Sequence, residues 1–142
     1  RKITGKLVSL PGITHLIIEE KQRKYESAFI EGLIKQITSE VNANAIGIIP
    51  YYRISKGLAM EPCVYVPKME KLLFERGCGS GTLALGIYFA HKNRKSIKTS
   101  VQQPGGIINV EIELYNSDNN IKVKDAFLET DIIITCEGKA YI

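Results

Sequence analysis

The stretch Phe74 to Ala90, FERGCGSGTLALGIYFA, sets one cysteine among three glycines, a serine and a threonine and follows it with an almost wholly apolar run. If a helix begins near Ser80, its first backbone N–H groups have no partner within the helix and carry about half a positive charge, so they can receive a carboxylate or phosphate. The glycines let such a ligand approach. A thiol in the same place is stabilised as its thiolate, with a pKa of roughly 3.5 to 7.5 against about 8.5 for free cysteine. Cys78 is therefore a candidate base or nucleophile. Just upstream, Glu75 can hold an ammonium group, and Arg76 can support the thiolate or a second anionic group. An anion site, a thiolate and an ammonium receptor side by side describe a pocket for an α-amino acid. GCGSGT could also hold a phosphate, but it lacks the lysine of a Walker motif.

The remaining cysteines, Cys63 and Cys136, bring the count to three with no CxxC pair, which indicates neither a disulfide framework nor a zinc site. Both read as small hydrophobes. Any cysteine chemistry here uses a free thiol.

Two helices and several strands must position these residues. Leu83 to Ala90 presents apolar groups on every side, so the helix behind Cys78 must be surrounded. From Gln22 to about Val41 the apolar positions Tyr25, Phe29, Leu33, Ile37 and Val41 recur at intervals of four, widened by Ile30 and Ile34, while Lys24, Glu31, Lys35 and Glu40 face away. That is a helix lying on a core. Short β-branched runs, KLVSL, THLIIEE, AIGIIPYY, CVYVP, INVEIELY, IKVKDAF and DIIITC, predict seven or eight strands. In INVEIELY, Ile108, Val110, Ile112 and Leu114 alternate with Asn109, Glu111 and Glu113, as in a strand with one wet face, and NSDNN (Asn116 to Asn120) reads as a hairpin loop. The expected fold is α+β, a mostly antiparallel sheet of about eight strands wrapped around a central buried helix, with one surface helix besides.

With 142 residues, 44% hydrophobic and 24% charged, the chain has the make-up of one globular domain with a real core. Lys plus Arg exceed Asp plus Glu by 19 to 15, a net +4, and the basic run Lys92 to Lys98 falls where the buried helix should end. Cations there complement the helix dipole, and no aromatic residues interleave with them, so a solvated helix end is expected and no nucleic-acid partner. No stretch suits a membrane span and no leader opens the chain, which makes the cytoplasm the expected compartment.

ERGCGSGT before a buried helix, VQQPGG at Val101 to Gly106 opening a strand, PGITHLII near the start and the terminal GKAYI resemble, in that order, the second half of the diaminopimelate epimerase superfamily, and within it the histidine racemases that serve metallophore synthesis. The similarity runs nearly end to end. It implies that residues 1–142 form a single domain, the C-terminal lobe of a longer two-lobed isomerase that racemises or epimerises an amino acid without pyridoxal phosphate or metal. In such enzymes each lobe wraps a sheet around a helix, substrate lies between two helix N-termini, and each lobe supplies one cysteine. One thiolate removes the α-hydrogen while the opposing thiol protonates the other face. The resemblance assigns the catalytic thiol to Cys78, the carboxylate cradle to the N–H groups of Gly79 and Ser80, and the ammonium receptor to Glu75. It places His15 near the substrate amine and Arg76 where diaminopimelate epimerases carry an arginine.

Neither Cys63 nor Cys136 has the helix-start setting of a second base. The expected partners are therefore a small amino-acid substrate, the missing N-terminal lobe and, in addition, a homodimer mate, with the isolated chain inactive. The competing reading is a non-catalytic module that holds an anion or carboxylate on Gly79 to Thr82, the thiol being incidental.

Overall fold

The structure is a computed structural model that describes residues 3–20, 26–117 and 120–140. Strands β1 (Gly5–Leu10) and β2 (Ile13–Glu19) form a hairpin whose turn is allowed by Gly12, at φ +84°. Helix α1 (Ser27–Glu40) then crosses over to β3 (Ala45–Ile54), which lies parallel to β2. A parallel pair needs such a crossover.

β3 is long enough to serve two further strands. Its C-terminal end pairs antiparallel with β4 (Gly57–Met60), and Ile46 to Ile48 pair with β5 (Cys63–Val66). A 3-10 turn at Pro67–Met69 leads into β6 (Lys71–Phe74), antiparallel to β5. Helix α2 (Gly79–Asn93) follows, then β7 (Ile97–Gln103), parallel to β4, and the antiparallel β8 (Gly106–Ser117) and β9 (Asn120–Glu129). Among the described residues the result is a curled, mixed sheet of nine strands with two helices, an α+β fold.

Because side chains alternate across a strand, neighbours in β2 and β3 feed two different apolar layers. Ile17 and Ile49 join Tyr51, Leu85, Phe89, Val101, Val110 and Ile112 around α2. Ile18, Ile46 and Ile48 join Ile30, Ile34, Ile37 and Cys63 under α1. Both faces of β2 and β3 are thus covered, and α2 touches β1, β2, β3, β7, β8 and β9.

The α1 stripe is present but centred on Ile30, Ile34 and Ile37, which are buried, while Phe29, Leu33 and Val41 of the expected line are half-buried and Glu31, Lys35 and Glu40 exposed. The helix starts at Ser27; Gln22, Lys24 and Tyr25 lie outside the described residues, as do Asp118, Asn119, Tyr141 and Ile142. The expected loop Asn116 to Asn120 is shorter than that, since β8 extends to Ser117 and β9 begins at Asn120. Val110 and Ile112 are buried as the alternation in β8 requires.

One expected strand is absent. DIIITC, residues 131–136, has no regular structure, and Ile132, Ile133 and Ile134 are 84%, 82% and 76% exposed. β-propensity makes a strand only where the run pairs and packs, and 131–136 pairs with no strand among the described residues although β1, β6 and β9 each keep one unpaired edge. The run at the end of α2 is solvated: Lys92 sits 4.0 Å from Glu19, Lys98 lies 2.7 Å from Glu111, and Arg94 caps the helix in the left-handed conformation.

Candidate functional site

The chain enters α2 through Cys78, the N-cap residue, in an extended conformation. N-caps are ordinarily Ser, Thr, Asp or Asn, whose oxygen accepts an N–H of the first turn. Here a sulfur does that work, with the Gly81 N–H donating to Cys78 Sγ at 3.3 Å. Gly81 is required at this spot, since a Cβ there would come within 2.7 Å of Ile49 Cδ1 and 3.1 Å of Cys78 Sγ. The Thr82 N–H returns to the Cys78 carbonyl at 3.0 Å, and its hydroxyl donates to the same carbonyl at 2.7 Å. Among the described residues no partner closes the N–H groups of Gly79 and Ser80, which stay at the half-exposed mouth of the helix.

Gln103 completes the frame. Its Oε1 accepts the Cys78 N–H at 2.7 Å and its Nε2 donates to Thr82 Oγ1 at 2.9 Å, all at a buried position. The sequence marked VQQPGG only as a motif. A side-chain amide that bridges a cysteine N–H and a threonine hydroxyl across 25 positions leaves no periodicity to read.

His15 is fully buried on β2, with Nε2 3.1 Å from Ser80 Oγ and Nδ1 without a hydrogen-bond partner. Its room comes from Gly47, its pairing partner on β3, where any Cβ would overlap the imidazole ring. Burial lowers the His15 pKa to about 4, so the ring is neutral at pH 7. The Ser80 hydroxyl in turn lies 3.6 Å from Cys78 Sγ.

The state of the thiol differs from the lowered pKa expected of a helix-start cysteine. Cys78 is only 5% exposed and packs within the apolar layer around α2. Desolvation, first, and then the hydrogen bond and charge of Glu75 push its pKa up to about 11, against the opposing pull of the Ser80 hydroxyl and the Gly81 N–H. In this chain by itself Cys78 is a neutral thiol at pH 7. Cys63, buried under α1, is pushed higher, to about 12, with desolvation again the first cause. Cys136 is exposed in the irregular segment.

Glu75 is beside Cys78, as the sequence expects, and its Oε2 is buried without a hydrogen-bond partner. Arg76 goes elsewhere. Its guanidinium lies 3.5 Å from the Pro104 carbonyl, and its own carbonyl accepts the Gly105 N–H at 2.6 Å, tying this loop to the β7–β8 turn rather than to the thiol. Of the six residues singled out, Glu75, Cys78, Gly79, Ser80 and His15 come together, and Arg76 stands apart. Among the described residues no group of three or more His, Cys, Asp or Glu is placed to hold a metal ion, and no helix is long and apolar enough to cross a membrane.

Comparison with known proteins finds amino-acid racemases, a class of isomerases, among the relatives of this chain. The model described as the histidine racemase CntK N-terminal domain matches residues 1–141, and the chain belongs to that family. It is 34% identical over 138 residues to a histidine racemase of Fusobacterium nucleatum subsp. nucleatum, covering 96% of this chain and 48% of that protein. The histidine racemase of a second strain is 33% identical over 138 residues, with 96% and 47% covered. A Staphylococcus aureus histidine racemase is 28% identical over 96 residues, 66% of this chain and 34% of its own length. The chain thus spans about half the length of the curated relatives it matches. The matching description is of an N-terminal domain, whereas the resemblance in the sequence implied the C-terminal lobe.

Proposed function

We propose that this chain is one lobe of a two-lobed amino-acid racemase and that Cys78 is one of the two thiols that invert the α-carbon without pyridoxal phosphate. The description of the matched family favours the N-terminal half, so that the other thiol is carried by a half that follows. The N–H groups of Gly79 and Ser80 receive the substrate carboxylate, and Glu75 receives the ammonium.

The observation that carries this reading is the pair formed by Glu75 Oε2, buried and unpartnered, and Cys78, its neighbour at the start of α2. A buried carboxylate oxygen with no partner costs free energy that a bound ammonium would recover. An α-C–H is a very weak acid, so an enzyme must hold the ammonium protonated and meet the developing negative charge with fixed donors. In a two-base inversion one cysteine is a thiolate and the other a thiol. The neutral Cys78 of this lobe is suited to the thiol role, protonating one face while the partner's thiolate deprotonates the other. For the reverse direction, an ammonium on Glu75 engages the carboxylate whose hydrogen bond, after desolvation, most disfavours the Cys78 thiolate. Histidine is the first substrate to try, because the relatives carry its name.

The isolated chain is inactive in this reading. Chain mixed with its missing half, or joined to it in one polypeptide, should racemise an amino acid, followed as loss of optical rotation. Racemisation by the isolated chain would overturn the two-lobe reading. The burial and raised pKa of Cys78 also favour a second reading, a module that binds a carboxylate at the start of α2 with the thiol as a structural cap. Cys78→Ser separates them, since a binding module keeps its ligand and a thiol acid/base loses turnover.

A further inference from the structure

The proposed function leaves His15 without a task, because its ring is completely buried and its Nε2 meets the Ser80 hydroxyl. We infer that His15 and Ser80 form a fixed hydrogen-bond relay, Nε2–H to Ser80 Oγ and Ser80 O–H to Cys78 Sγ, that positions a donor on the sulfur and stabilises its thiolate. This inference rests on the reading of Cys78 as an acid/base thiol but is tested without turnover.

The direction of the relay follows from the ring nitrogen that has no partner. A neutral imidazole carries one proton, on Nδ1 or on Nε2. Nδ1 is buried with nothing to bond, and Gly47 lies so close against it that even a Cβ would overlap the ring. Orphaned buried N–H donors are rarer than under-used acceptors, so the proton belongs on Nε2. Nε2–H then donates to Ser80 Oγ across 3.1 Å. With its oxygen already accepting, the hydroxyl directs its own proton to Cys78 Sγ at 3.6 Å. Hydrogen bonds in such a chain polarise one another.

The sulfur is consequently met from two sides. Ser80 O–H and Gly81 N–H donate to it and favour the thiolate, while the neighbouring Glu75 carboxylate favours the neutral form. The other titratable group in the sulfur's field is the Cys63 thiol, neutral at pH 7. His15 itself, held neutral, adds no charge to the site and acts as a positioning residue through Ser80. A neutral histidine at this place gives the sulfur a donor that does not vary with pH above about 5.

Two measurements on the chain as it stands test this. Histidine 15N spectra at pH 7 should place the His15 proton on Nε2. The alkylation of Cys78 by iodoacetamide, followed at its own peptide by mass spectrometry between pH 8 and 11, should slow about tenfold in Ser80→Ala. Ser80→Thr, which restores the hydroxyl, should recover the rate, as should His15→Gln, whose amide can donate in place of the ring, relative to His15→Leu. Circular dichroism identifies any variant that does not fold, and the spectrum of the unaltered chain does not depend on the variants. A proton on Nδ1, or an unchanged alkylation rate in folded Ser80→Ala, overturns the relay. Failure of the assembled protein to racemise, with both measurements as expected, would instead overturn the proposed function and leave the relay standing.

Discussion

The two helices are both covered by the same sheet, yet they are built on opposite principles. α1 buries one stripe, Ile30, Ile34 and Ile37, and begins at a Glu26 that makes no side-chain cap. α2 buries a much wider face, from Gly81 and Thr82 through Ala84, Leu85 and Gly86 to Phe89 and Ala90, with Leu83, Ile87 and Tyr88 half-buried, and its first turn is held by a thiol, a threonine and the Gln103 amide. A helix that only covers a sheet needs an apolar face and nothing else. A helix that must hold its N-terminus in one place needs contacts on every side, because any slip along its axis moves the donors at its tip.

The largest difference between the helices should appear in core truncation. Leu85→Ala is expected to destabilise by about 2–5 kcal/mol and to lower both the denaturation midpoint and the reactivity pattern of Cys78. Ile34→Ala should cost stability in the same range while leaving Cys78 alkylation unchanged. Equal perturbation of Cys78 by the two variants would remove the distinction.

On the α2 side, acid should act through His15. Because the His15 pKa falls from 6.5 to about 4 on folding, the folded state favours the neutral ring. The stabilisation it carries is present above pH 6.5 and is lost as pH falls toward 4, by up to about 3 kcal/mol. Denaturation at a series of pH values should show this arm, reduced in His15→Gln. The two buried thiols give the opposite arm: their raised pKa values make stability decline as pH climbs from 9 toward 11.

The same substitution should have opposite signs in the two helices. A Cβ at Gly86 would lie 2.7 Å from Val110 Cγ2 and 3.1 Å from Ile112 Cγ1, so Gly86→Ala is expected to destabilise by about 1–3 kcal/mol. Gly32 meets nothing within 4 Å, and Gly32→Ala should stabilise by up to about 1 kcal/mol. Thermal melts of the two variants decide it, and a gain at Gly86 would mean that α2 has slack around it.

What the sequence made legible follows the same division. A one-face stripe and a clean alternation are periodic, so α1 and β8 could be read directly, as could the all-round apolar helix and the cysteine at its start. Pairing is not periodic. Nothing in THLIIEE or AIGIIPYY announces that β2 and β3 run parallel, or that β3 divides its length between β4 and β5. DIIITC has the composition of a strand, but composition does not say whether a run pairs, and here it pairs with none of the described strands. At the site, local residues such as Glu75, Gly79 and Ser80 were found from their neighbours. Gln103, Gly47 and the burial of His15 depend on contacts between distant strands. The raised pKa of Cys78 escaped for a related reason: the glycine context indicates helix-start donors, but the desolvation that outweighs them comes from the packing around α2.

The most direct test of the proposed racemase role of Cys78 is the turnover of the full-length protein, with histidine as first substrate, compared between Cys78 and Cys78→Ser. Loss of kcat by about 100-fold or more with KM retained is the expected result. A Cys78→Ser protein that racemises at the unaltered rate would contradict it.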